Sequence, residues 1–184
     1  MSVYNTQLQG NNANLEEILL RLDNLPNNGA MEDAIISKRD AFNYINNRVG
    51  EIGSYIFYYS PIVSAQFDSC ETIWEYAFYN CLQLNNILIP SCKTISRSSF
   101  EYCQSLQSIT LPNCSVIGER AFYGCQRLTS LYLPGSTIAE LGSDALEGTL
   151  IDSGEGKIYV PSSLVASYKT TGKWVNYMSK IQPI

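Results

Sequence analysis

A period of 22 residues governs this chain. "AFYNCLQLNNILIP" (77–90) returns as "SFEYCQSLQSITLP" (99–112) and again as "AFYGCQRLTSLYLP" (121–134). Such self-similarity decides the fold before any motif does, because one repeat cannot bury its own apolar edge and must stack on its neighbours. The shared apolar columns are Ile73/Ile95/Ile117, Phe78/Phe100/Phe122, Cys81/Cys103/Cys125 and Leu84/Leu106/Leu128, then Ile87/Ile109/Leu131, Ile89/Leu111/Leu133 and Pro90/Pro112/Pro134. An eroded earlier copy, one residue shorter, puts Ile52, Phe57, Ser60, Ile62, Ala65, Phe67 and Cys70 in register. A later copy with a two-residue insertion supplies Leu141, Leu146 and Thr149, then Ile158, Val160 and Pro161. About four and a half turns fit between residues 52 and 161.

Within a turn, Leu106-x-x-Ile109-x-Leu111-x-x-Cys114 has leucine-rich-repeat spacing. Ile-x-Leu alternates with period two, which predicts a short strand with one face inward. Proline ends it, having no N–H for a ladder. The stretch through Phe and Cys must return the chain as a turn or short irregular segment. The expectation is an α/β repeat solenoid, right-handed, with short parallel strands over 52–161. Residues 31–51 would cap its first edge and 162–184 its last.

"IGERAFYGCQRLTSLYLP" (117–134) resembles the BspA-like leucine-rich repeats of bacterial surface proteins and of phage proteins from gut bacteria. The resemblance covers about residues 49–184, including an ending, "KIYVPSSLVASYKTTGKWVNYMSKIQPI", that looks like the family's C-terminal cap. It implies a fold and a binding role of unspecified kind, since one scaffold hosts many surfaces.

The six cysteines fall in two columns, Cys70/Cys92/Cys114 and Cys81/Cys103/Cys125. Neighbours in a column would lie about 4.8 Å apart with parallel side chains, which is poor disulfide geometry. Buried thiols serving as small fillers are the better reading. Clustered metal-ligand spacing is missing, and the chain has no histidine, the commonest general base. Asp144, Glu147, Asp152 and Glu155 lie close in sequence but read as a polar loop, and "DSGEG" (152–156) matches no phosphate loop. Asn113-Cys114-Ser115 is a formal glycosylation acceptor of no expected use. No enzyme, cofactor or metal is expected. Net charge is −5, with no basic run, which argues against nucleic acid. No apolar stretch is long enough for membrane insertion.

Residues 1–30 carry no repeat. Leu8, Leu15, Ile18, Leu22 and Leu25 sit at coiled-coil spacing, Asn14 suits an N-cap, and Pro26 closes the pattern. Two readings stand: a helix packing on the repeat domain or its carrier, or a homo-oligomer, for example a trimer, formed through 8–25. The opening is similar to those of phage tail-associated proteins, and it lacks the shape of a secretory signal. These features imply a virion or bacterial cytoplasmic location, with the cell surface as alternative.

Between the inward strand residues, two columns face outward: Ser64, Asn86, Ser108, Ser130 and Lys157, and Gln66, Leu88, Thr110, Tyr132 and Tyr159. The second grows aromatic toward the C-terminus, so Asn86, Leu88, Ser108, Thr110, Ser130, Tyr132, Lys157 and Tyr159 form the candidate binding face for a protein or cell-surface glycan. Tyr58, Tyr59, Tyr79, Tyr102 and Tyr123 read as outer-edge structure. Three functions follow: a phage tail-associated recognition protein, a surface adhesin, or an intracellular inhibitor or adaptor acting on a host protein.

Overall fold

The computed structural model describes residues 43–45 and 47–184. The expected helix carrying Leu8, Leu15, Ile18, Leu22 and Leu25 lies outside the described residues, as do residues 31–42.

The chain winds as a solenoid in which every ladder is parallel. One side carries three-residue strands: β1 (Asn43–Ile45), β3 (Ser64–Gln66), β5 (Asn86–Leu88), β7 (Ser108–Thr110) and β9 (Ser130–Tyr132). It continues with β11 (Lys157–Val160) and β12 (Ile181–Pro183). The ladder runs β1-β3-β5 and, after an interruption between β5 and β7, β7-β9-β11-β12. A second side stacks two-residue strands: β2 (Glu51–Ile52), β4 (Thr72–Ile73), β6 (Thr94–Ile95), β8 (Val116–Ile117) and β10 (Glu140–Leu141). Registers advance by one repeat, with Ile73 opposite Ile95, Ile95 opposite Ile117, and Ile109 opposite Leu131. The parallel pairing expected of the repeat is therefore present. The array also reaches further than residues 52–161, since Tyr44 pairs one turn back from Ala65, and Ile181 pairs with Ile158.

The third side is a run of turns that the sequence left irregular. Its backbone is nonetheless bonded from turn to turn: Phe57, Phe78, Phe100 and Phe122 donate N–H to Ala77, Ser99, Ala121 and Ala145, at 2.7–2.9 Å. Two residues per turn adopt positive φ. One column is Tyr55, Tyr76, Ser98, Arg120 and Asp144, and the other is Tyr59, Asn80, Tyr102, Gly124 and Gly148. Only two of these are glycine, so most of this backbone strain falls on residues that seldom adopt it.

Inside the three walls, Phe57, Phe78, Phe100 and Phe122 are fully buried and stacked, with centroids 4.8–5.4 Å apart and planes within 9° of parallel. All six cysteines are buried. Each column has a use beyond filling space. The thiols of Cys81, Cys103 and Cys125 donate to the carbonyls of Phe57, Phe78 and Phe100, one turn earlier. Those of Cys70, Cys92 and Cys114 donate to the carbonyls of Thr72, Thr94 and Val116. A thiol is small and apolar enough for this core yet still supplies a weak donor. In the end turns hydroxyls replace it, Ser60 and Thr149.

Thr149 also caps helix α1 (Leu150–Ser153), its hydroxyl accepting from Asp152 N–H. After β11 come a 3₁₀ turn (Ser162–Leu164), helix α2 (Val165–Tyr168) and a second 3₁₀ segment (Gly172–Tyr177). They bury Tyr168 and Trp174 over the last turn. The Tyr168 hydroxyl accepts from Ala139 N–H, and the Trp174 indole donates to the Ala139 carbonyl. One residue beside β10 thus has both backbone groups taken up.

Candidate binding faces

The strand side presents the two outward columns in straight rows. Ser64 stands opposite Asn86, Ser108 opposite Ser130, and Ser130 opposite Lys157. In the other row Gln66 meets Leu88, Thr110 meets Tyr132, and Tyr132 meets Tyr159. The centres of these strands, Ile87, Ile109, Leu131 and Ile158, are buried, so the alternation holds at each turn. Tyr132 and Tyr159 stack at 4.6 Å with planes 10° apart, and Leu88 is 46% exposed. The eight candidate residues thus share one surface, with an aromatic end at Tyr159 and a polar remainder.

The turn side carries a second assembly, whose tyrosines the sequence alone presents as outer-edge structure. Tyr55 stacks on Tyr76 at 5.2 Å and Tyr58 on Tyr79 at 5.1 Å, one turn apart. Tyr59 touches both Tyr58 and Tyr79. Tyr79, Tyr102 and Tyr123 continue edge-to-face along the next turns. Gly124 has no Cβ for a physical reason: one would overlap the Tyr102 ring, and its φ is +67°. The row ends where the Arg120 guanidinium lies 3.8 Å from the Tyr123 ring centroid and forms a two-point pair with Glu101, 2.6 and 3.3 Å. The Glu101 side chain is only 5% exposed, so this pair neutralises a buried charge. Crowding within the row pushes the Tyr58 phenol up to about 12, through desolvation first and its tyrosine neighbours second. Tyr55 and Tyr79 shift upward for the same leading reason. These hydroxyls therefore stay protonated at neutral pH.

Of the four carboxylates noted in the sequence, Asp144, Glu147 and Asp152 line one cleft of about 350 Å³ with Lys173, Asn176 and Tyr177, whereas Glu155 does not. Asp152 accepts from Gly148 N–H, and Lys173 donates to the Ser143 hydroxyl. Burial and the three carboxylates push the Tyr177 phenol up to about 12. Among the described residues no group of three or more Cys, Asp or Glu side chains could hold a metal ion. No helix among them is long and apolar enough to cross a membrane. Asn113 of the glycosylation acceptor uses its amide to donate to the Pro90 carbonyl, one turn back. It belongs to a corner column in which the Ser69 and Ser91 hydroxyls do the same for Asn47 and Asp68.

The BspA type leucine rich repeat region matches residues 44–166, in six copies. This chain belongs to that family. Six copies exceed the four and a half turns that fit between residues 52 and 161, in keeping with the strand that precedes residue 52. None of the curated proteins matches the chain. Similar solved structures include a T. pallidum leucine rich repeat protein, at 24% identity and a TM-score of 0.55, over 65% of this chain and 58% of that one. A leucine-rich repeat protein from Bacteroides ovatus follows, at 23% identity, a TM-score of 0.53, and coverage of 77% and 42%. The pneumococcal vaccine antigen PcpA gives 21% identity, a TM-score of 0.53, and coverage of 77% and 40%. The chain thus spans about half the length of these structures, and at such identities the likeness is one of fold.

Proposed function

We propose that this protein is a non-enzymatic recognition module that presents its strand face to a protein or a cell-surface glycan. The stacked Tyr132–Tyr159 pair beside Lys157 carries the reading. Two parallel rings combine large apolar area with hydroxyls for hydrogen bonding at little entropic cost, and tyrosine is enriched in interfaces for that reason. The polar row Asn86, Ser108, Ser130 supplies adaptable hydrogen-bonding groups alongside. Binding of labelled protein to intact bacterial cells and to an oligosaccharide array tests this, with Tyr132→Ser/Tyr159→Ser as the matched variant. Retained binding by the variant overturns it.

The vehicle is a finer matter on which two observations pull apart. Likeness to the pneumococcal vaccine antigen PcpA favours display on a bacterial surface. Similarity of residues 1–28 to phage tail openings favours a virion, with that segment attaching or trimerising the module. Antibody detection in purified particles against intact cells decides between them.

A further inference from the structure

We propose that the turn face is a second, separate docking surface, and that it takes an arginine- or lysine-rich segment of a partner protein. Five tyrosines, Tyr55, Tyr58, Tyr59, Tyr76 and Tyr79, form one continuous cluster of ring contacts across two turns, and Tyr55 is 42% exposed. Tyr102 and Tyr123 extend it to the fourth turn. Ring packing alone does not account for placing them here. Phenylalanines already fill the core directly beneath, and the tyrosine column residues Tyr55, Tyr59, Tyr76 and Tyr102 hold positive φ despite their bulk.

Charge identifies the partner. The cations of these turns are paired, Arg120 with Glu101 and Arg97 with Glu119 at 3.7 Å, and Lys173 reaches the last turn from the cap. The carboxylates still outnumber them: Glu75, Glu101, Glu119, Asp144 and Glu147 lie on these turns, and among them Glu75 has no ion pair among the described residues, while Asp144 and Glu147 share their cleft with Lys173. Glu75 is exposed and acts on the Tyr55 phenol, as does Arg97, whose charge Glu119 offsets. Aromatic rings on a face with an excess of carboxylates attract cations twice over, through the ring quadrupole and through the net field. The fold holds its own example of the contact, the Arg120 guanidinium over Tyr123 against a carboxylate. A neutral sugar would use the hydroxyls and leave the carboxylates unanswered, so the basic segment is the better fit.

The test is titration of the full chain with a synthetic peptide of alternating Arg and Gly, with an alternating Glu and Gly peptide and a neutral oligosaccharide as comparisons. The Arg peptide should bind, the Glu peptide should not, and affinity should fall as salt rises. Glu75→Gln, an exposed change, should weaken binding severalfold, and Tyr58→Ser/Tyr79→Ser about tenfold or more. A far-UV circular dichroism melt of each variant establishes that the fold is kept. Tyr132→Ser/Tyr159→Ser, on the other face, should leave this binding unchanged. Binding of the Glu peptide or the oligosaccharide in preference to the Arg peptide overturns the proposal. So does Arg-peptide binding indifferent to both Glu75→Gln and the tyrosine pair.

Discussion

Truncating Phe100 to alanine probes the stack that the repeat exists to build. The ring is fully buried, between Phe78 at 5.1 Å and Phe122 at 5.4 Å, and parallel to both within 6°. Loss of a core phenylalanine side chain costs about 3–5 kcal/mol, rising with the cavity that survives relaxation. Here relaxation is blocked, because Phe78 N–H to Ser99 and Phe100 N–H to Ala121 fix the spacing of the turns on either side. The value should therefore lie in the upper half of that range, about 4–5 kcal/mol. Phe57 lies in the first of the stacked turns, with one parallel neighbour, Phe78, and a tilted one, Phe67. Phe57→Ala should cost less, about 3 kcal/mol. Urea unfolding followed by far-UV circular dichroism and by tryptophan fluorescence gives both values, and agreement of the two probes checks that the array melts as one unit. A loss below about 1 kcal/mol for Phe100→Ala would refute the stacked core.

Other expectations follow from the same geometry. Burial holds Cys70 and Cys114 up at about 11, and Cys92, Cys103 and Cys125 are also raised by burial. Each folded-state value lies above the unfolded one, so this contribution to stability is complete below about pH 9 and drains away as pH climbs through the folded values. The urea midpoint should fall between pH 8.5 and about 11, and a flat midpoint would contradict the burial. The same burial predicts slow thiol titration in native protein and six thiols after denaturation without reductant; a denatured count of two or fewer would mean disulfides. Arg120→Ala strips the partner from buried Glu101 and should cost about 2–4 kcal/mol, with Arg120→Ala/Glu101→Gln less damaging than the single change. Gly142→Ala should be poorly tolerated because a Cβ there collides with the backbone of Gly118 and Glu119.

Much of the fold was legible because burial follows the 22-residue period. Columns such as Ile73/Ile95/Ile117 and Cys81/Cys103/Cys125 are buried in every copy. The strand-face rows were legible too, since period-two alternation fixes which side chains point out. The turn face was not. Its ring contacts join different columns, Tyr58 to Tyr59 and Tyr59 to Tyr79, and arise from positive φ at tyrosine, which no glycine announces. The pair Arg120–Glu101 spans 19 residues and so falls outside the period. The strands β1 and β12 escaped notice because their partners are met only once the first and last turns are wound.

Amide hydrogen exchange, read residue by residue by NMR, tests most directly the claim that identical turns are bonded to one another on three sides. The account predicts slow exchange recurring with the repeat, at Phe57, Phe78, Phe100 and Phe122 on the turn side and at Trp74, Ser96, Gly118 and Gly142 beside the two-residue strands, whose amides donate one turn back. Leu111 and Leu133, bonded to Tyr132 and Tyr159, should be slow on the strand side. Fast exchange at the four phenylalanine amides, or protection that does not recur from turn to turn, would contradict it.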